Sequence, residues 1–118
     1  MTTMKAPQPL SIVHDTVNGQ PLLRVAGEID LNSSPAFRTG LLSLLERKSQ
    51  LIILDLTGVT YVDSSGVGTI VEMKRRADRG GTKVVLFGLQ PRVRSIFEIT
   101  RLDKFLAIVA TLEEAKSA

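Results

Sequence analysis

The sequence has no cysteine and no tryptophan. Disulfides, thiol catalysis and zinc–thiolate sites are therefore excluded. It has one histidine, His14, placed early in the chain where an edge strand is expected, so no Ser-His-acid triad is credible. Aromatic residues make up only 4%. The net charge is +3, but no basic run is interleaved with aromatics, and no direct nucleic-acid partner is expected. Long apolar runs are missing too. Stretches such as Val84 to Phe87 are far too short to span a membrane. Met1 to Gln8 carries one lysine and no apolar segment, so it does not read as a secretory signal. A cytoplasmic protein without a membrane span is expected. No internal repeat or low-complexity tract is present.

What is there suits one folded domain. The chain has 118 residues, 43% hydrophobic and 23% charged, enough to build a core and too apolar for disorder. Residues 1–9 read as a flexible tail, since Pro7 and Pro9 discourage regular structure; residues 10–118 read as the domain. Leu10 to Asp15 suits a first strand, and Asn18-Gly19 is a hairpin signal. Leu22 to Ile29 is the second strand, with Leu23, Val25 and Ala26 available for burial. Asn32-Ser33-Ser34-Pro35 reads as a helix start with a capping side chain. Phe37, Leu41, Leu44 and Leu45 form one apolar stripe, and Glu46-Arg47-Lys48 is expected to close the helix with cations.

Leu51 to Leu56 is an uninterrupted apolar run, as in a strand buried on both faces. Thr57-Gly58 reads as a turn, followed by the connection Val59-Thr60-Tyr61-Val62. A helix is expected from about Ser65 to Arg79, ended by Gly80-Gly81. Lys83 to Gly88 is a further strand, and Pro91 opens a helix with Val93, Ile96 and Phe97 on one face. Phe105 to Val109 reads as the last strand. Thr111-Leu112-Glu113-Glu114 has the form of a capping box. The order ββαβαβαβα predicts an α/β fold with a mainly parallel sheet, right-handed crossovers and the hairpin strand at one edge.

The stretch Asp63-Ser64-Ser65-Gly66-Val67-Gly68 lies where an irregular connection enters a helix. Helix N-termini have unpaired N–H groups and partial positive charge, and Asp63 or Ser64 can cap this one. Glycine costs about 1 kcal/mol relative to alanine inside a helix. Gly66 and Gly68 together suggest either a tight turn or something that must approach the backbone. No nucleotide loop is present, because neither glycine leads into Gly-Lys-(Ser/Thr) and no third glycine has dinucleotide-binding spacing. Ser64 has no Gly-x-Ser-x-Gly elbow around it. Asp30, Asp55 and Asp63 include no adjacent acidic pair, and Asp55 falls inside a strand, so no metal and no cofactor are expected.

With Gly27-Glu28-Ile29-Asp30, this stretch resembles the STAS-domain anti-sigma factor antagonists, whose motifs are Gly-Glu-(Leu/Ile)-Asp and Asp-Ser-(Ser/Thr)-Gly-Leu-Gly. The resemblance runs from about Leu22 to Leu112. It implies a STAS-like single domain, with a curved, mixed, mainly parallel sheet and helices mainly on one side. It also implies a binding protein and not an enzyme. The unphosphorylated form would bind an anti-sigma factor that is itself an ATP-binding serine kinase, releasing the sigma factor. Phosphorylation would end that complex, and a PP2C-type serine phosphatase would reverse it.

Spacing alone leaves Ser64 and Ser65 equivalent as acceptors; the resemblance selects Ser64. It assigns Glu28, Asp30, Asp63, Ser64, Ser65, Gly66, Val67 and Gly68 to the partner-facing region. Glu28 and Asp30 also have a purely structural reading, as a strand end and helix lead-in with Asp30 bonding backbone N–H groups. Lys74, Arg75, Arg76 and Arg79 read as a solvated helix face. Two departures stand out. Val67 replaces the usual leucine, and Arg101 stands where the family has the glycine of Thr-Gly-Leu, which leaves the shape of that turn open. Two other roles compete: a STAS regulatory subunit of a lipid- or anion-transport complex, and a scaffold component of a stress-sensing assembly.

Overall fold

A computed structural model of the protein describes residues 9–118; most of the expected tail lies outside them. Strands β1 (Ser11–Val17) and β2 (Gln20–Ile29) form an antiparallel hairpin. Its turn residues, Asn18 and Gly19, have φ of 52° and 77°, the left-handed pair that a tight two-residue hairpin requires. Helix α1 (Ser34–Leu45), strand β3 (Leu51–Val62), helix α2 (Ser64–Arg79), strand β4 (Lys83–Phe87) and helix α3 (Pro91–Ile99) follow. A one-turn 3-10 helix (Leu102–Lys104), strand β5 (Ala107–Val109) and helix α4 (Leu112–Lys116) complete the chain.

The sheet has the order β1-β2-β3-β4-β5, with β2 to β5 all parallel. Each parallel step advances one strand in the same direction. One hand of crossover then places all three crossover helices on one face. Phe37, Leu41 and Leu44 of α1, Ile70 and Met73 of α2, and Val93 and Phe97 of α3 share one core with Leu23, Val25, Leu54 and Leu86 from the sheet. The opposite face is smaller. There Ala115 of α4 closes over Leu22, Ile53, Val85 and Phe87. The alternation of Leu22 with Leu23 and of Ile53 with Leu54 between the two cores explains why β3 reads as one apolar run.

Four local expectations are corrected. Thr57-Gly58 is not a turn, because β3 continues unbroken to Val62. Its pairing with β2 slips twice, from Arg24↔Asp55 to Ala26↔Gly58 and from Gly27↔Val59 to Glu28↔Tyr61. Each slip is a bulge of one extra residue on β3. The first is braced by Asp55, whose carboxylate accepts from the Thr57 N–H (3.0 Å) and hydroxyl (2.6 Å) and from Arg24 Nε (3.2 Å). Gly58 is required there, since a Cβ would lie 2.7 Å from that of Ala26.

Second, α1 stops at Leu45, before Arg47 and Lys48. Bonds from the Arg47 and Lys48 N–H groups to Leu44 and Leu45 tighten the chain out of the helix. Third, Ser33 does not cap α1 with its side chain; its hydroxyl is engaged by the preceding loop. Fourth, β5 starts at Ala107, and Phe105 belongs to the turn before it. That turn keeps the shape that glycine normally provides, with Arg101 at φ 62°, ψ 17°.

Candidate functional site

The parallel strands finish at one end of the sheet, and two loops meet there. Asp63 follows β3 directly and caps α2. Its backbone is extended, and its Oδ1 accepts from the N–H groups of Ser65 (2.9 Å) and Gly66 (3.4 Å). The Ser65 hydroxyl donates to the same oxygen at 2.5 Å. That hydroxyl is the main influence holding the Asp63 carboxyl below its ordinary value; the N–H groups of Ser65, Gly66 and Leu31 add to it, and partial burial opposes it. A backbone bond from the Asp63 N–H to the Ile29 carbonyl (3.1 Å) ties this cap to the end of β2.

The loop after β2 is built around Asp30. Its Oδ1 accepts from the N–H groups of Asn32 and Ser33, each at 2.9 Å. Its own N–H donates to the Ser33 hydroxyl (2.9 Å), which donates to the Glu28 carbonyl (2.8 Å). Asp30 therefore fixes the lead-in to α1, as its structural reading anticipated, while half-buried at the same end as Asp63. Glu28 is half-buried on β2 beside Tyr61.

The two serines differ. Ser64 is exposed, and its hydroxyl bonds none of the described residues. Ser65 is half-buried, with its hydroxyl bound to Asp63. The two glycines differ as well. A Cβ on Gly66 would lie 2.6 Å from Ile29 Cγ2 and 3.2 Å from Val62 Cγ2, so this glycine lets α2 sit against β2 and β3. Gly68 is exposed and a Cβ there would meet nothing within 4 Å. Val67 is buried in the larger core, so it supports the loop from below.

Three residues escaped the sequence reading. Leu31 is 76% exposed between Asp30 and the cap of α2. A leucine interrupting the polar run Asp30 to Ser34 was its only signal. Ser34 and Thr69, both buried, form a hydroxyl pair (3.1 Å). The Ser65 carbonyl lies within reach of both, at 3.2 and 2.9 Å, and accepts from the hydroxyl that does not donate to the other. They lock the start of α1 to the first turn of α2. Asp55, by contrast, is held within β3 by Arg24 and Thr57. Among the described residues, no group of three or more His, Cys, Asp and Glu is placed to hold a metal ion.

The class so defined is a small α/β domain presenting a serine hydroxyl at a helix entrance, among three carboxylates. The STAS domain model matches residues 11–115, and the chain belongs to that family. It is 36% identical over 84 residues to the anti-sigma-B factor antagonist of Listeria monocytogenes, covering 71% of this chain and 74% of the relative. Its fold matches the crystal structure of an anti-sigma factor antagonist from Mycobacterium paratuberculosis with a TM-score of 0.87, at 21% identity and 97% coverage of both chains. The Bacillus cell fate determinant SpoIIAA in its phosphorylated form matches with a TM-score of 0.69, at 23% identity, over 91% of this chain and 97% of that one. Among the described residues no helix is long and apolar enough to cross a membrane.

Proposed function

We propose that this protein is an anti-sigma factor antagonist whose binding is switched by phosphorylation of Ser64. The observation that carries the proposal is the contrast between the serines. Ser64 offers a free, exposed hydroxyl, whereas Ser65 is engaged as a donor to Asp63. The 36% identical relative bears the name anti-sigma-B factor antagonist, and a structural neighbour is described in a phosphorylated form. Both support the reading.

In this reading the unmodified domain acts by binding and not by catalysis, in the cytoplasm. It docks an anti-sigma factor with ATP-dependent serine kinase activity over the two loops. Leu31 supplies an apolar contact, Asp30 and Glu28 supply charge, and Gly68 admits the partner close to α2. A phosphate on Ser64 adds a charge of about −1.5 to −2. The carboxylates of Asp63 and Asp30 already sit at this end, so the partner would have to desolvate a dense anionic cluster. A loss of ~1.4 kcal/mol in binding is tenfold in affinity. The fold itself need not move, because the Ser34–Thr69 pair and the Asp63 cap hold α2 without the Ser64 hydroxyl. A PP2C-type phosphatase would restore the binding form.

Baits of the wild type and of Ser64→Asp, exposed to lysate of the source organism, test this. The expected result is a small ATP-binding kinase retained by the wild type and lost by the variant. That kinase should then phosphorylate the wild type and not Ser64→Ala. Undiminished phosphate incorporation into Ser64→Ala would move the acceptor elsewhere. Transporter subunits held equally by both baits would replace the proposal with a transport-complex role.

A further inference from the structure

The end of the molecule opposite Ser64 has a different chemistry. Helix α2 has 16 residues, about 24 Å at 1.5 Å per residue, and carries the chain from the Ser64 end to the start of β4. The exits of α1 and α3 lie at that same end, where the parallel strands begin. Direct bonds join the first two exits: Thr82 Oγ1 to the Ser49 carbonyl (2.7 Å) and the Lys83 N–H to the Gln50 carbonyl (2.8 Å). Lys74 Nζ, 5.4 Å from the ring centre of Phe105, joins α2 to the third.

Charge collects there. Residues 45–51, 74–83 and 98–105 hold nine Lys and Arg against four Asp and Glu; the rest of the chain holds six against eight. Lys48, Arg75, Arg79, Lys83, Arg101 and Lys104 are all exposed and take no part in an ion pair with the described residues. Between two of these cations in sequence, Ile99 stands 82% exposed at the end of α3.

We infer that this basic end docks on the surface of an anionic lipid bilayer. Cations drawn from three turns at one level of the fold suit a flat anionic surface, where each Lys or Arg contributes attraction within a Debye length. Ile99 gains by entering the boundary between headgroups and acyl chains, and gains nothing from a nucleic-acid backbone. Phe105 already carries Lys74 over one face of its ring. Docking this way leaves Ser64 pointing away from the lipid.

Cosedimentation with phosphatidylglycerol vesicles, against phosphatidylcholine vesicles, tests the inference. Binding is expected to the first and not the second, and to vanish in about 0.5 M NaCl, where the Debye length is short. Each cation removed should weaken partitioning about fivefold, so R79Q/R101Q/K104Q together should weaken it about a hundredfold. Ile99→Ser should weaken it about tenfold. Ser64→Asp should bind like the wild type, which separates this result from the fate of the phosphorylation proposal. These surface variants should melt within a few degrees of the wild type. No binding to anionic vesicles, equal binding to both lipids, or full binding by the triple variant would overturn the inference. So would a short DNA duplex bound more tightly than the vesicles with the same sensitivity to substitution.

Discussion

Alanine at Gly66 and alanine at Gly68 should change stability in opposite directions, although the two positions lie on the same turn of α2. At Gly68 a Cβ meets open space and the residue is helical. The added methyl restores the glycine–alanine difference in helix propensity, about 0.8–1 kcal/mol. At Gly66 the same methyl lands 2.6 Å from Ile29 Cγ2. Ile29 is fully buried and β-branched on a central strand, so it cannot swing aside. Overpacking of this kind costs about 1–3 kcal/mol, more than the helix propensity gained.

Urea unfolding followed by circular dichroism reads both. With a slope of about 1–3 kcal/mol per molar urea, Gly68→Ala should raise the midpoint by roughly 0.3–1 M, and Gly66→Ala should lower it. Shifts of the same sign would refute the account of why each glycine is present. The Gly68 variant has a second use. If glycine is kept there to admit a partner, Gly68→Ala should be more stable and bind the anti-sigma factor less well. Unchanged affinity would remove Gly68 from the docking surface.

Two further predictions concern sites away from the loop. Arg101 holds a left-handed conformation that costs an L-residue about 1–2 kcal/mol, so Arg101→Gly should gain about 0.5–1 kcal/mol after the entropy of glycine in the unfolded chain is subtracted; a lower urea midpoint would show that the side chain itself stabilises this turn. Glu72 on α2 receives both nitrogens of the Arg38 fork at 2.8 Å, and with the weaker help of Arg76 its carboxyl is lowered from 4.5 to about 2. A depressed value in the folded state means that its stabilisation is complete above 4.5 and lost as pH falls towards 2. Glu72→Gln should flatten the fall of the urea midpoint across that interval, and an unaltered slope would assign acid sensitivity to other carboxylates.

The sequence was most readable where one cause governs one element. Asn18-Gly19 can hardly be anything but a tight turn. The Phe37, Leu41 and Leu44 spacing sorts one face of a helix from the other, and Asp63 caps α2 through chemistry local to three residues. Legibility failed where a residue answers to a distant neighbour. Thr57-Gly58 has the composition of a turn, yet Gly58 is there because Ala26 passes close by on β2. The unequal roles of Ser64 and Ser65 depend on which hydroxyl Asp63 reaches, and the unequal roles of the glycines on where Ile29 lies. Leu31 was passed over because exposure is a property of the fold.

The two bulges in β3 have a bearing on how this chain tolerates change in length. Inward residues of β3 fall at Leu54, Leu56, Val59 and Val62, facing Leu23, Val25, Gly27 and Ile29 across the pair. Each bulge takes up one residue of β3 that β2 does not match. With one bulge fewer and the same sequence, the strand end would be out of phase, turning Val62 to solvent and Asp63 towards the core. Shortening acts the other way. Loss of the extra residue at either bulge closes it to one-to-one pairing and leaves Val59 and Val62 opposite Gly27 and Ile29, with the cap of α2 in place. The bulges are therefore the points at which this strand can lose a residue singly without turning its core face outwards.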